Sequence, residues 1–384
     1  MEKQKALNHR VIPPAKPYFP QEDIQSILED IQKILESGML TLGDYTRRFE
    51  AEFAKMCNVR QAVAVNSGTS ALEIVLRALG VKAADEVLIP TNTFSATAAV
   101  VVMVGAKPVF TDIDAKSLCI DVENIQKHLT EETKAVMAVH IGGLVCPEIK
   151  AIREVCEDRN LLLIEDAAHA QGSLLDNESA GSFGNAGCFS FYPTKVMTTG
   201  EGGIITTNQE ALAQKATILR DQGKESFSSN IIVEIGHNWR MNEISAAIGL
   251  SQLGRLAQFI KRRNEIADYF DTKLSDTKVI SPLQIPKNAK SNYYKYVAIV
   301  APEISRDDLK QRLREKGVRL SGEVYWPPLH MEPVYQRLFK TKEGDFPVAE
   351  EMCRRMICLP LYSQMTMDEA EYVIRKTEEV LSTL

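Results

Sequence analysis

Residues 186–207 read AGCFSFYPTKVMTTGEGGIITT, two apolar segments with a single lysine between them. Segment 188–191 is short, apolar and aromatic, which is typical of a buried β-strand. Pro193 ends that strand and leaves Lys195 in an irregular loop, and the glycines of GEGG (200–203) allow a tight reversal before a second strand. A lysine in this position is either a salt-bridged structural residue or a partly desolvated amine that can form a Schiff base.

A second stretch, LLLIEDAAHAQG (161–172), ends an apolar run in two acidic residues. The run 161–164 is expected of a parallel strand that is covered on both faces. Asp166 then lies at the carboxyl end of the strand, where open α/β sheets bind their ligands. A buried carboxylate needs a cationic partner or several hydrogen bonds. A pyridinium nitrogen would serve as that partner, because the carboxylate would keep it protonated and let the ring act as an electron sink.

A third stretch, AVAVNSGTSALEIVLRAL (62–79), predicts a strand, a turn and an amphipathic helix. The first turn of that helix, at Gly68 and Thr69, would offer free backbone N–H groups, hydroxyls and the positive end of the helix dipole to a phosphate. The motif alone is also compatible with an ordinary helix N-cap. The phosphate-binding fingerprints GxxxxGK[ST] and GxGxxG are both absent, which argues against a P-loop enzyme or a dinucleotide-dependent enzyme.

A phosphate site, a strand-end aspartate and a loop lysine, in this order on a parallel α/β scaffold, indicate a pyridoxal-phosphate site. The sequence resembles the sugar aminotransferases of the fold-type I superfamily, the DegT/StrS group, over nearly its whole length. The motifs that carry the resemblance are NSGTSAL (66–72), IPTNTFSAT (89–97), HIGG (140–143), EDAAHAQG (165–172), FSFYPTKVMTTGEGG (189–203), GHNWRMNEISAAIGLSQL (236–253), PPLHMEPVY (327–335) and CLPLYSQMT (358–366).

The resemblance implies a Schiff base between Lys195 and pyridoxal 5'-phosphate, with pyridoxamine 5'-phosphate as an intermediate, and makes Lys195 and Asp166 the catalytic residues. The other cofactor contacts that it implies are Gly68 and Thr69 at the phosphate, Phe94 on the ring, His169 beside the phenolic oxygen, Ser190 on the phosphate, and Asn238 reaching the phosphate of a neighbouring subunit. From the residues alone, Phe94 is equally compatible with core packing, and Asn238 with capping the helix that follows.

Substrate contacts are expected at three further residues: Arg240, Tyr325 and His330. Arg240 is the candidate for the carboxylate of the amino donor. The segment EVYWPPLHMEPVY (323–335) is expected to line the mouth of the site, although its aromatic residues Trp326 and Tyr335 are as compatible with the core. The six histidines form no cluster with metal-ligand spacing, so no metal site is expected.

The fold expected from these patterns is α/β, of fold-type I, with a mainly parallel central sheet, helices on both faces and a smaller C-terminal α+β domain. The expected division is an N-terminal arm (1–20), a large cofactor-binding domain (21–260) and a small domain (261–384). The clearest helix patterns cover 21–37, 46–56, 242–270, 306–316 and 367–381, and two strands are expected at 293–300 and 318–325.

Composition indicates which partners and which cellular compartment are expected for the protein. The net charge of −6 argues against nucleic acid or anionic membrane as the main partner. The seven cysteines contain no CxxC pair, which favours a reduced thiol pool. The N-terminus lacks an apolar signal region and no later stretch is long enough to span a bilayer, so a cytoplasmic protein is expected.

The predicted reaction moves an amino group from glutamate or glutamine to a keto-sugar carried on a nucleotide, in a homodimer with shared active sites. A keto-cyclitol or a sugar phosphate remains an alternative acceptor. Sugar dehydratases of the same group carry histidine where this chain has Lys195, which speaks against that reaction. A regulator that binds the cofactor without catalysis would need a basic DNA-binding helix, and none is evident.

Overall fold

The computed structural model describes residues 10–275, 277, 279–320 and 322–384 of the 384-residue chain. Residues 1–9 of the expected arm, and Ser321 in the expected strand 318–325, lie outside these ranges. The helices of the described residues are α1 (Gln21–Ser37), α2 (Asp44–Cys57), α3 (Gly68–Ala78), α4 (Ser95–Met103), α5 (Val122–His128), α6 (Ile149–Asp158), α7 (Glu210–Arg220), α8 (Glu243–Leu274), α9 (Arg306–Glu315), α10 (Pro333–Phe339), α11 (Pro347–Arg355) and α12 (Met367–Leu381). The strands are β1 (Gln61–Val65), β2 (Glu86–Pro90), β3 (Lys107–Thr111), β4 (Thr133–Val139), β5 (Leu162–Asp166), β6 (Leu174–Leu175), β7 (Glu178–Ser179), β8 (Ala186–Ser190), β9 (Gly203–Thr207), β10 (Ile280–Pro282), β11 (Ala289–Lys290), β12 (Tyr296–Val300) and β13 (Met356–Leu359).

A seven-stranded sheet forms the centre of the molecule, in the order β1-β9-β8-β5-β4-β2-β3. Strands β3, β2, β4, β5 and β8 are parallel, whereas β9 is antiparallel to both of its neighbours. Strands β2 and β9 are buried along their whole length, as expected where other elements cover both faces of a sheet. The predicted α/β fold with a mainly parallel central sheet is confirmed.

One edge of this sheet collects one end of each of its seven strands. The parallel strands β3, β2, β4, β5 and β8 all finish there, because parallel strands share a direction. Strand β9 starts at the same edge, since Gly203 pairs with Ser190 on one side and with Val65, the last residue of β1, on the other. The chain segments that follow Pro90, Val139 and Asp166 therefore meet at one place.

The helix predictions with the strongest patterns are confirmed. Helix α1 covers the predicted residues and is followed by Gly38 in the left-handed conformation, with φ of 69°. Helix α12 also has the predicted bounds and begins with a capping box between Thr366 and Glu369. Helix α8 continues four residues beyond the expected end at Phe270.

Two strand predictions need correction. The described residues of this range, 318–320 and 322–325, do not form the expected strand: Val318 makes only an isolated bridge to Ile12, and the backbone N–H of Tyr325 donates to the side chain of Asn92. The strand expected at 293–300 begins at Tyr296, because the backbone N–H groups just before it donate to the side chains of Ser291 and Asn292. Local side-chain hydrogen bonds of this kind compete with strand pairing.

A second, three-stranded antiparallel sheet, β10-β12-β13, lies in the C-terminal part of the chain. It shares a hydrophobic cluster with the end of α8 and with α9 and α12. Helix α8 runs without interruption through residue 260, so the proposed boundary between large and small domains falls within a helix and stays a prediction.

The described part of the N-terminal arm lies on this C-terminal part. Ile12 is 1% exposed, donates its backbone N–H to Gly317 and accepts one from Arg319. None of the helices in the described ranges is long and apolar enough to cross a membrane.

Candidate active site

A cavity of about 360 Å³ opens at the strand-end edge of the central sheet. Eight of the eleven predicted site residues line it: Gly68, Thr69, Phe94, Asp166, His169, Ser190, Lys195 and Tyr325. They come from the ends of four strands, β1, β2, β5 and β8, or the segments that follow them, and from the C-terminal part of the chain, so folding brings them together from distant positions.

The first wall of the cavity is the start of helix α3. The side chain of Ser67 caps this helix by accepting the backbone N–H of Ser70 at 3.0 Å. Helix and strand approach each other closely here, since a Cβ atom on Gly68 would lie 2.8 Å from the Cβ of Ser190. The free N–H groups of the first helical turn and the hydroxyls of Thr69 and Ser190 thus border the same cavity. This arrangement suits an anionic oxygen group.

Asp166 forms the floor of the cavity as a buried carboxylate, 6% exposed. Its two oxygens accept hydrogen bonds from the Thr97 hydroxyl at 2.8 Å and the Ala168 backbone N–H at 3.2 Å. No described residue forms an ion pair with it. Burial raises the pKa of the Asp166 carboxyl, while Thr97, Ala168 and the charge of Lys195 oppose the rise. The carboxylate therefore has room for a cationic partner from the cavity.

Lys195 lies half-buried in the loop between β8 and β9, without an ion pair to any residue in the described ranges. Its Nζ atom lies over the ring of Tyr294, 4.5 Å from the centroid. Burial lowers the pKa of Lys195 to about 7, an effect that Asp166 opposes and Lys295 reinforces. Of the two interpretations of this lysine, the structure supports the reactive amine over the salt-bridged structural residue.

Aromatic rings form a continuous side of the cavity. The His169 ring lies against Tyr294, with centroids 4.4 Å apart and planes at 34°, and against Tyr325 at 5.9 Å. Tyr325 contacts Phe94 at 5.8 Å. Phe94 is 57% exposed, so it is no core residue, and a flat ring bound in the cavity could stack on it.

Three predicted site residues do not line the cavity. His330 is fully buried, with its ring nitrogens 2.7 Å from the Thr91 hydroxyl and 2.9 Å from the Glu350 carboxylate. Because both ring nitrogens have hydrogen-bond partners within the protein, His330 links its own turn to the end of β2. The expectation that His330 contacts the substrate is therefore wrong. Arg240 pairs with Asp221 at 2.5 Å.

Asn238 is exposed, and its backbone bridges to Asp221 on its own chain. It does not line the cavity. Of the two aromatic residues with open assignments, Tyr335 belongs to the core, packed on Phe110. Trp326 lies outside the cavity, and its ring contacts the guanidinium groups of Arg306 and Arg354.

Sequence reasoning missed two residues that shape the site. Thr97 holds the Asp166 carboxylate, and it belongs to the motif IPTNTFSAT; the need of a buried carboxylate for donors could have identified it. Tyr294 lies against Lys195 and His169, and only its place in an aromatic run distinguished it in the sequence. No cluster of three or more metal-ligating side chains occurs in the part of the chain that the structure describes.

Comparison with known proteins agrees with this site. The model of the DegT/DnrJ/EryC1/StrS aminotransferase family matches residues 21–378. The dTDP-4-dehydro-2,3,6-trideoxy-D-glucose 4-aminotransferase of Saccharopolyspora spinosa is 37% identical over 90% of both chains. The GDP-perosamine synthase of Vibrio cholerae is 33% identical over 88% of this chain and 92% of its own. The structure of Spr1654 from Streptococcus pneumoniae in its PLP form superposes with a TM-score of 0.91 at 27% identity, covering 97% of this chain and 99% of that one.

Proposed function

The chain belongs to the DegT/DnrJ/EryC1/StrS aminotransferase family, and from this we propose that it uses pyridoxal phosphate (PLP) to move an amino group from glutamate or glutamine to a keto-sugar carried on a nucleotide. The observation that carries the proposal is the meeting of Lys195, Asp166 and the start of α3 around one cavity. An amine, a carboxylate and a phosphate site in that arrangement match the three polar ends of the cofactor.

The residues present fit this cofactor. Gly68 and Ser190 lie too close together for a Cβ atom at position 68. This close approach brings hydroxyls and helix N–H groups to one end of the cavity, where they would hold the phosphate. At the other end, Asp166 would face the ring nitrogen and Phe94 would stack on the ring. When bound, pyridoxal phosphate supplies an electron sink for proton removal at the carbon that bears the amino group.

Each protein group has a definable task in this reaction. The Nζ atom of Lys195 attacks a carbonyl carbon only when it is neutral, and a pKa of about 7 leaves a substantial neutral fraction at physiological pH. Once released, the same Nζ atom can carry a proton from the donor carbon to another position as general base and then acid. Thr97 and Ala168 hold the Asp166 carboxylate in the orientation that keeps a facing nitrogen protonated.

The acceptor is proposed from the relatives and from the shape of the site. The two named relatives act on sugars linked to different nucleotides, dTDP and GDP, which supports a nucleotide-linked keto-sugar and leaves the base open. A polar, hydroxyl-rich acceptor also suits a wall that carries Thr194, Tyr192 and Tyr325 hydroxyls. Keto-cyclitols and sugar phosphates are the competing acceptors.

We further propose that two copies of the chain complete the site together. Asn238 is exposed and does not line the cavity of its own chain. Just before it, four apolar side chains are exposed, of which Ile235 is 85% exposed; they are Ile231, Ile232, Val233 and Ile235. An apolar surface of this kind is seldom left in water, so a second copy that covers it would bring Asn238 to the neighbouring phosphate site.

The experiment that tests the function runs the reaction in reverse. Purified protein loaded with pyridoxal phosphate is offered 2-oxoglutarate together with amino-sugar nucleotides, aminocyclitols or amino-sugar phosphates, and the cofactor absorbance is followed. Turnover with a nucleotide-linked amino-sugar supports the proposal. Turnover with only a cyclitol or a sugar phosphate would replace the acceptor, and the lack of any cofactor binding would reject the function.

A further inference from the structure

Resting on the proposed function, we infer that Tyr325 presents the hydrogen of its hydroxyl to the cavity, as a fixed donor to an oxygen atom of the bound cofactor or substrate. In this arrangement His169 has no proton of its own to offer to the cavity. It acts through Tyr325, as a positioning residue, which changes the role expected for it beside the phenolic oxygen.

The first step of the argument is the partner of His169 Nδ1. The backbone N–H of Gly142 points at this nitrogen, with a donor–acceptor distance of 3.2 Å. A backbone N–H can only donate, so Nδ1 must keep its lone pair and cannot carry a proton. In a doubly protonated ring, two N–H groups would face each other here. The contact therefore selects the neutral imidazole with its single proton on Nε2.

The second step follows the proton on Nε2. This nitrogen lies 2.8 Å from the hydroxyl oxygen of Tyr325, and with the hydrogen on the ring the histidine is the donor and the tyrosine the acceptor. Burial lowers the pKa of His169, with Lys195 and Lys295 adding to the effect, in agreement with a neutral ring. The Tyr325 oxygen thus receives one hydrogen bond from the protein.

The third step concerns the hydrogen that Tyr325 itself carries. Burial raises the pKa of Tyr325 well above its usual value, so the hydroxyl stays protonated. Its hydrogen cannot point at His169, whose proton already occupies that direction, and within the described ranges the hydroxyl has no other hydrogen-bond partner. Tyr325 lines the cavity, so the open direction leads there. The half-buried Tyr325 hydroxyl therefore has a hydrogen without a protein acceptor, and a ligand oxygen in the cavity would accept it.

The surroundings of Tyr325 hold this donor in place. Its backbone N–H donates to the Asn92 side chain at 2.6 Å, and Asn92, fully buried, donates in turn to the Leu118 carbonyl at 3.2 Å. The ring of the next residue, Trp326, has two guanidinium groups at 5.2 and 5.5 Å from its centroid. A donor with so little freedom loses little entropy when it binds an acceptor, as a preorganised site requires.

The acceptor can be one of two oxygens of the same hydrogen-bonding chemistry. One is the phenolic oxygen of the cofactor, and the other is a carbonyl or hydroxyl oxygen of the substrate. Both lie within the cavity when the site is filled, and both accept from a phenol. The geometry assigns the donor; the two arms of the second experiment below distinguish its acceptor.

The first experiment needs neither cofactor nor activity. Histidine is labelled with ¹⁵N in the cofactor-free protein, and long-range ¹H–¹⁵N correlations report which ring nitrogen is protonated. The His169 signals are assigned by their loss in His169→Gln. We expect His169 to carry its proton on Nε2 and to keep it there at mildly acidic pH. A proton on Nδ1, or a charged ring, would overturn the inference.

The second experiment compares Tyr325→Phe with Tyr335→Phe. Tyr335 is the matched control because its hydroxyl donates to the Ser95 carbonyl, outside the cavity. Loss of the Tyr325 donor should lower either the affinity for the cofactor or kcat/KM for the acceptor about tenfold or more. This is the usual effect of losing one hydrogen bond to an anionic or strongly polar oxygen. The control should remain close to wild type.

Two readouts separate the two acceptors. A donor to the phenolic oxygen shifts the pH dependence of the visible absorbance of the protein loaded with pyridoxal phosphate and weakens cofactor binding. A donor to the substrate leaves that absorbance unchanged and lowers kcat/KM for the acceptor. If Tyr325→Phe folds and changes neither quantity, the inference is wrong. If the protein binds no pyridoxal phosphate, the proposed function fails while the ¹⁵N result for His169 still stands.

Discussion

Lys195 lies against an aromatic ring instead of a carboxylate, and this placement governs its charge. Removing an ammonium group from water disfavours the charged form, and the ring of Tyr294 compensates only in part. The carboxylate of Asp166 acts in the opposite direction without forming an ion pair. The balance leaves the Lys195 pKa at about 7, within the range in which an amine can serve as both nucleophile and proton carrier.

We predict that Lys195→Ala abolishes turnover and that borohydride reduction of protein mixed with pyridoxal phosphate labels Lys195 in the wild type. Because only the neutral amine attacks, the rate of cofactor attachment should rise with pH through about 7 and then level off. Peptide mapping locates the label. In the control Lys295→Met the label stays on Lys195, and the midpoint moves to higher pH because a neighbouring positive charge is gone. A label on any other lysine would refute the assignment.

The charged carboxylate of Asp166 is needed for the proposed reaction but lowers the stability of the cofactor-free protein. Its pKa in the folded protein is raised, so the cofactor-free protein binds this proton more tightly than the unfolded chain does. The sign is then fixed: the carboxylate lowers the stability of the cofactor-free protein as pH rises from the unfolded pKa through the folded one. At neutral pH the charged group is unfavourable on balance despite its hydrogen bonds from Thr97 and Ala168, and a bound cation would offset the remainder.

Asp166→Asn should therefore separate the two properties. We expect turnover to fall by several orders of magnitude, because a neutral amide cannot hold the ring nitrogen protonated. The cofactor-free variant should melt at the same temperature as wild type or above it, as followed by circular dichroism at pH 7. The melting difference should vanish at acidic pH, where the wild-type carboxyl is protonated. Near wild-type turnover, or a clearly lower melting temperature at pH 7, would contradict this account.

At the scale of elements, the phosphate site depends on how closely helix α3 approaches strand β8. Gly68 begins the helix, and the strand passes so near that its Ser190 leaves no space for another Cβ atom. Gly203, at the start of β9, is equally confined, since a Cβ atom there would lie 2.3 Å from the Ser67 carbonyl oxygen. Three elements from separate parts of the chain thus meet at glycines, which no larger residue could replace without moving the helix.

We predict that Gly68→Ala weakens the binding of pyridoxal phosphate at least about tenfold, because the helix start must move away from Ser190. Gly254→Ala is the matched control: it lies within helix α8, with no atom within 4 Å of the added Cβ. That control should bind the cofactor normally, and its free energy of unfolding should rise by about 0.5–1 kcal/mol, because alanine has a higher helix propensity than glycine. Equal cofactor affinities in the two variants would argue against the close contact as the basis of the site.

At the scale of the whole molecule, the topology of the sheet concentrates polar residues at one edge. Five parallel strands and β1 end there, and β9 begins there, so the backbone leaves or enters the sheet at seven neighbouring points. The C-terminal part of the chain adds Tyr294 and Tyr325 to the rim. The cavity therefore has walls from several separate parts of one chain, whereas the exposed Asn238 does not line it.

We predict that the active unit is a homodimer in which Asn238 reaches the phosphate site of the partner. Lys195→Ala and Asn238→Asp should each be inactive, the second because a carboxylate repels a phosphate. After dissociation and reassociation of a mixture, one site of each mixed dimer carries both changes and the other carries neither. Activity should then return toward half of the wild-type value per mixed dimer.

The control for the added charge is Asn208→Asp, an exposed position just after β9, at the opposite edge of the sheet. This variant should remain active alone. If subunit exchange is demonstrated and the mixture of Lys195→Ala with Asn238→Asp stays inactive, Asn238 serves its own chain and the shared site must be abandoned.

Local patterns in the sequence were sufficient for the type of fold and for most of the cavity. Apolar runs ending in Asp166, a glycine-rich turn after Lys195 and a capped helix at Gly68 each depend on residues that are neighbours in the chain. Their meeting at one edge follows from the shared direction of parallel strands. The long amphipathic helices were likewise predictable, because their period extends over several turns.

Contacts between distant residues were decided only by the tertiary structure. Thr97 meets Asp166 across 69 positions, and Tyr325 meets His169 across 156, and no local pattern records either distance. For the same reason His330, which the sequence suggested as a substrate contact, is enclosed by Thr91 and Glu350. The sequence indicates which residue types form the site. The direction of each hydrogen bond, in contrast, depends on the distant groups that packing places beside each side chain.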